Sequence, residues 1–207
     1  MSDLVHIVEG DLSAQAGIDD LLRACGYRTK AYGSTDEILS QIPDGDSASC
    51  IVVDVEKPDT DVPVLFDRLN RAGSNLPVIC LSGPSDVRTG VRAIKAGAED
   101  FFTKPVASEE LIVAIDRAIA RHRLASEQEG RVRAARQRLL LLTRREREVF
   151  DLVIRGKMNK QVAFVLGTTE RTVKAHRHKV MEKLQIRSVV ELVTCAERLG
   201  LLRFADP

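Results

Sequence analysis

The first 120 residues alternate, five times over, a short β-rich apolar run with a stretch of helical periodicity, and this alternation leaves few folds open. The runs are Leu4 to Val8, Tyr27 to Tyr32, Cys50 to Val53, Val78 to Leu81 and Asp100 to Phe102. Each is of strand length, and the segments between them are long enough for the helical crossovers that parallel strands require. Near-continuous apolar runs suit strands buried on both faces, so the sequence predicts a parallel sheet with helices on either side. Pro63 suits the first turn of the third helix, and Ser108 followed by Glu109 and Glu110 predicts a side-chain cap and an acidic first turn for the fifth.

Helical periodicity then runs from Leu111 to about Arg138, increasingly rich in arginine and interrupted by Gly130. Its apolar positions, Ile115, Ile119, Val132 and Leu139, are sparse, so a helical linker and a coiled coil both stay open. The last 65 or so residues predict four short helices, over 144–155, 159–166, 170–184 and 189–199. Thr143 with Glu146 and Ser188 with Glu191 fit the capping box, and Gly156 and Gly167 mark helix ends. The predicted organisation is thus a domain over 1–120, a helical linker over 121–140 and an all-helical domain over 141–207.

Charge follows the same division. A formal net charge of +1 is the balance of −9 over residues 1–120 and +10 over residues 121–207. The first part repels nucleic acid and the second attracts it. No apolar run reaches the roughly 18 residues that a membrane helix needs, and the N-terminus lacks a signal-peptide pattern, so a cytoplasmic protein is expected. Cys25, Cys50, Cys80 and Cys195 lie far apart without ligand spacing and read as reduced core residues.

The second and third helices of the C-terminal set are joined by the short turn Gly167-Thr168-Thr169, a helix-turn-helix arrangement whose second helix enters the DNA major groove. At 100° per residue, Arg171, Lys174, Ala175, His178 and Glu182 share one face, while Val173, Val180 and Leu184 point the other way. The outward face offers donors for base edges and a small residue for close approach, with Arg177, Lys179, Lys183 and Arg187 as flanking cations. His176 and His178 diverge on a helix and have no further ligand, so a metal reading is set aside.

Residues 142–184, LTRREREVFDLVIRGKMNKQVAFVLGTTERTVKAHRHKVMEKL, resemble the LuxR-type helix-turn-helix domain of FixJ-like and NarL-like response regulators. The resemblance implies that Lys174, Ala175 and His178 face base edges, and that Asn159, Lys160, Thr172, His176 and Lys179 lie near phosphates or frame the contact. It also implies a dimer on DNA, often paired through the last helix.

In an open parallel sheet, ligands bind at the carboxyl ends of the strands. Those ends carry Glu9 and Asp11, Asp54, Ser82 and Lys104, a set suited to transient aspartyl phosphorylation with Mg²⁺ held by the acids. Residues 4–120, with VHIVEGD, CIVVD, LSGPSDV and IKAGAEDFFTKP, resemble the response-regulator receiver domain. By that resemblance the fold is flavodoxin-like, five parallel strands in order 2-1-3-4-5. Asp54 is then the phospho-acceptor, Ser82 the switch hydroxyl, Phe101 the rotating aromatic and Lys104 the phosphate-binding lysine, while the placement of acids at the strand ends offers Glu9, Asp11 and Asp54 as metal ligands.

Three departures bear on that site. The family has two adjacent acids after the first strand, whereas here Gly10 follows Glu9 and Asp11 comes one position late. Lys57 replaces an apolar residue three past Asp54, either pairing with it or solvated, and Val62 stands where a loop glycine is common. A pocket degenerate in this way points to inefficient or absent phosphorylation. The chain reads as a two-component transcriptional regulator and not an enzyme, a metal-dependent phosphatase being set aside because of the DNA-binding half. Its implied partners are double-stranded DNA, a sensor histidine kinase, a second copy of itself and RNA polymerase. The alternative is a phosphorylation-independent regulator whose receiver is a protein-interaction or dimerisation module.

Overall fold

The computed structural model describes residues 3–41, 48–56, 62–83 and 87–202. The expectation for Lys57 falls outside these residues. The chain divides into two compact units, residues 1–127 and 128–207.

In the first unit, strands β1 (Leu4–Val8), β2 (Arg28–Tyr32), β3 (Ser49–Asp54), β4 (Val78–Ser82) and β5 (Asp100–Thr103) form one sheet. They pair in parallel in the order β2-β1-β3-β4-β5, as the receiver resemblance implied. Between them lie α1 (Leu12–Ala24), α2 (Thr35–Ser40), α3 (Val62–Arg71) and α4 (Val87–Ala96), and α5 (Ser108–Leu140) follows β5.

Alternation along each buried strand sends successive side chains to opposite faces, and each face has its own core. Val8, Tyr32, Ile51, Val53, Val78 and Cys80 pack with Ile38, Leu65, Phe66, Leu69 and Ala93 of α2, α3 and α4. Val5, Ile7, Cys50, Val52, Ile79 and Leu81 pack with Leu22 of α1 and Leu111, Ala114, Ile115, Ala118 and Ile119 of α5. At roughly 2 kcal/mol for each large apolar side chain withdrawn from water, these two layers hold the sheet.

Two details of helix ends and cysteines differ from the sequence reading. Leu111 donates to the carbonyl of Ala107, so Ser108 is the first helical residue of α5 and not its cap. Cys50 and Cys80 are buried, and burial pushes their thiols up to about 12, but Cys25 at the end of α1 is exposed and Cys195 is half-buried. No helix among the described residues is long and apolar enough to cross a membrane.

The second unit contains the end of α5 with α6 (Arg144–Ile154), α7 (Asn159–Val165), α8 (Glu170–Leu184) and α9 (Val189–Arg198). Its core gathers Leu139, Val149, Phe150, Val153, Val162, Val173, Val180, Leu184, Leu192 and Ala196. The Thr143–Glu146 capping box is complete. At α9, the Ser188 hydroxyl accepts from the Glu191 amide, but the Glu191 carboxylate reaches past Ser188 to the amide of Arg187. Gly156 and Gly167 have φ of 77° and 59°, the left-handed geometry that turns the chain out of α6 and α7.

Candidate functional sites

The carboxyl ends of β1, β3, β4 and β5 bring four side chains to one place. Asp54 ends β3, and its Oδ1 accepts the Glu56 amide at 3.1 Å. Its Oδ2 lies 2.9 Å from Lys104 Nζ, just past the end of β5. Glu9, just past β1 and buried, places Oε2 3.4 Å from the same ammonium, while its Oε1 accepts the Asp11 amide at 2.8 Å. Glu56, more exposed, has an oxygen 3.9 Å from Lys104 Nζ. Partial burial alone would lower the Lys104 pKa, but the hydrogen bond and charge of Asp54, then Glu9, outweigh it and hold the ammonium above its ordinary value.

Ser82, at the end of β4, is fully buried, and its hydroxyl has no hydrogen-bond partner. Its carbonyl accepts the Lys104 amide at 2.7 Å, which fixes the lysine's strand end beside β4. A buried hydroxyl without a partner is costly unless an acceptor arrives.

Asp11 caps α1 through one carboxylate oxygen, its Oδ1 accepting the amides of Ser13 and Ala14 at 3.0 and 2.9 Å. Among the described residues no group of three or more His, Cys, Asp or Glu side chains is arranged to hold a metal. Glu9 and Asp54 are the two carboxylates brought together on the Lys104 ammonium. Mg²⁺ commonly takes one or two carboxylates with water and phosphate oxygens, and the pair fits that lesser role. Glu56 is the pocket residue that sequence reading missed; its only signal was a carboxylate two residues past Asp54.

The second site is the outer face of α8. Thr169 caps the helix by accepting the Thr172 amide, and Val173, Val180 and Leu184 are buried beneath it. Arg171, Lys174, Ala175, His178 and Lys179 are exposed, and Thr172, His176 and Arg177 are half-buried. Arg177 donates to Asn159 at the start of α7, so these two residues brace one helix against the other. Lys160 beside Asn159 is exposed. His176 Nδ1 is buried without a partner. Arg145 donates to the Leu166 carbonyl at 2.5 Å and to Glu148, holding the turn between α7 and α8.

Lys183, expected as a flanking cation for DNA, is committed elsewhere. Its Nζ sits 2.6 Å from Glu146 Oε2 and 3.1 Å from the Leu141 carbonyl. Glu146 is buried, and this lysine, with the amide and hydroxyl of Thr143, outweighs burial and lowers its pKa to about 2.

A five-stranded parallel sheet with an aspartate, a hydroxyl and a lysine at its carboxyl edge, joined to a helix-turn-helix unit, defines a class: a response regulator that acts on DNA. The comparisons agree. Residues 5–116 match the response regulator receiver domain, and residues 140–196 match the LuxR family of bacterial regulatory proteins. The chain belongs to the response regulators that join a receiver to a LuxR-type DNA-binding domain, and it is a transcriptional regulator. It is 38% identical over 199 residues to nodulation protein W of Bradyrhizobium diazoefficiens, covering 96% of this chain and 87% of that one. It is 35% identical over 205 residues to response regulator protein TodT of Pseudomonas putida, covering 96% and 88%. The solved structure of response regulator StyR superposes with a TM-score of 0.80 at 33% identity, covering 96% of this chain and all of that one.

Proposed function

We propose that this transcriptional regulator reads DNA through the outward face of α8 and carries its input at Asp54. Lys174, Ala175 and His178 would meet base edges, with Arg171 at the entry of the helix. Asn159, Lys160, Thr172, His176, Arg177 and Lys179 would serve phosphates or brace the contact. The observation that carries this reading is the division of α8 itself. Val173, Val180 and Leu184 are buried in the core, and Lys174, Ala175 and His178 are exposed on the opposite face. Two copies reading an inverted repeat follow from the two-fold symmetry that regulators of this kind impose on their sites.

At the other site, Asp54 is the acceptor, Lys104 neutralises the incoming phosphoryl oxygens, Ser82 donates to one of them, and Phe101 responds. Glu9 and Asp54 would hold Mg²⁺, which supplies positive charge against those same oxygens. Because Gly10 contributes no carboxylate and Asp11 gives one of its oxygens to the cap of α1, phosphoryl uptake is inefficient. The donor would be a sensor histidine kinase, and the output would meet RNA polymerase; the domains divide as 1–120, 121–140 and 141–207, in the cytoplasm. The test is DNA selection with the full chain, followed by footprinting. A preferred inverted repeat is expected, and recovery of no preferred sequence would refute the assignment of α8.

A further inference from the structure

The two halves of α8 are not held equally. The helix runs for 15 residues, about 22 Å, and its buried side chains are Val173, Val180 and Leu184. Only Val173 seats the half that carries Arg171, Lys174 and Ala175 on its exposed face. The far end has a further tie, the ammonium of Lys183 on the buried carboxylate of Glu146. The direction of the front half therefore depends on what holds the turn before it.

That turn is held from α6. Arg145, next to Glu146, donates through Nη2 to the Leu166 carbonyl at 2.5 Å and through Nη1 to Glu148 Oε2 at 2.8 Å. Leu166 closes α7, the backbone turns left-handed at Gly167, and Thr169 caps α8. The last turn of α7 has no basic residue of its own, so a cation from α6 meets the negative end of that helix. Arg145 and Glu148 have side chains 38% and 34% exposed, and an ion pair so open to water adds little to stability. What the planar, two-pronged guanidinium supplies is a direction. Adjacent residues of α6 thus grip the reading helix at both ends, Arg145 through the turn before it and Glu146 near its last residue.

We propose that Arg145 is a positioning residue for sequence reading: without touching DNA, it fixes the turn that aims the front half of α8, and base choice depends on it. This rests on the reading of α8 as the DNA-reading helix. Full-length wild type, Arg145→Met, Arg145→Lys and Lys174→Ala are compared on the selected DNA site and on a duplex of unrelated sequence, over a range of salt. Amide exchange is followed in the same chains across α6, the turn and α8.

Arg145→Met should lower the ratio of affinities for selected over unrelated DNA by about tenfold, the effect of one mismatched base pair. Affinity for unrelated DNA and its salt dependence should stay near those of wild type. Arg145→Lys, which keeps the charge without the fork, should lose most of the same selectivity. In both variants the amides of residues 167–172 should exchange faster, while those of α6 and of the far end of α8 do not. A parallel loss on both duplexes with a flatter salt dependence would make Arg145 a phosphate contact and overturn the proposal. Full selectivity in Arg145→Lys, unmoved exchange at 167–172, or faster exchange throughout with the ratio unchanged would overturn it equally. If wild type prefers no sequence, or Lys174→Ala leaves the ratio unchanged, the reading of α8 fails, and exchange at 167–172 still decides whether Arg145 holds the turn. Should Arg145→Met fail to fold, Arg145→Lys decides by the same ratio.

Discussion

Acidification should destabilise the receiver unit through His6. This residue lies in β1, is buried, and shares a 3.1 Å hydrogen bond between Nδ1 and the Tyr32 hydroxyl. Its Nε2 is buried without a partner, and Lys30, its neighbour across the β1–β2 pair, lies over the Tyr32 ring at 5.2 Å. Burial first, and the Lys30 charge second, lower its pKa from 6.5 to about 4. Because the folded value lies below the unfolded one, the stability is fully present above pH 6.5 and is lost as pH falls towards 4. The shift corresponds to a loss of about 2 kcal/mol by pH 5 and about 3 kcal/mol by pH 4, of the order of half a small domain's stability. The assay is urea unfolding of the full chain followed by tyrosine fluorescence. Tyr27 and Tyr32 are the only tyrosines, there is no tryptophan, and both lie in the first unit, so the signal reports that unit alone. His6→Val removes the titration, and subtracting its pH profile cancels the carboxylates common to both chains. Its lost bond to Tyr32 gives an offset constant with pH. Profiles of wild type and His6→Val that run parallel from pH 7 to 4.5 would refute the reasoning.

Three further outcomes are expected. Lys174→Ala should weaken binding to the preferred DNA site by about 1 to 3 kcal/mol and relax base choice, whereas Lys179→Ala should weaken all sequences alike and flatten the salt dependence; equal effects on specificity would contradict the division of α8. Gly10→Asp should raise both Mg²⁺ affinity by titration and phosphoryl uptake from acetyl phosphate by intact mass, with Asp54→Asn abolishing uptake; efficient uptake by wild type would show that Glu9 and Asp54 suffice. Lys183→Met, which strands the buried Glu146 carboxylate, should destabilise the C-terminal unit by about 3 kcal/mol, read as faster amide exchange in α6 and α8, with no change in the salt dependence of DNA binding.

The helix boundaries of the C-terminal unit were legible to within about one residue because their signals are local. Thr143 and Glu146 are three residues apart, and Gly156 and Gly167 adopt the left-handed backbone where a helix must stop. The strands were legible because a parallel sheet buried on both faces writes itself as short apolar runs. What escaped the sequence was the choice among competing uses of one side chain. An aspartate between a strand and a helix signals a metal ligand and a helix cap equally well, and Asp11 caps. Lys183 on a basic helix reads as a phosphate contact, yet its partner Glu146 lies 37 residues away, beyond any periodicity. The close approach of Gly90 and Phe101 joins a helix to the next strand, and nothing in either segment alone announces it.

The pocket's charge explains why losing one acid need not cost the fold and still alters the response. Glu9 and Asp54 are nearly withdrawn from water, with side chains 2% and 8% exposed, so each needs a counter-charge. A third carboxylate at position 10 would leave them one cation further short and would draw a divalent ion in. Among the described residues, the Lys104 ammonium faces both, and its raised pKa keeps it charged throughout the physiological range. An arriving phosphoryl group, carrying nearly two negative charges, must compete with Glu9 and Asp54 for that same lysine. Gly10 itself is exposed at a bend. A carboxylate added at position 10 is therefore expected to act on the charge balance around Lys104.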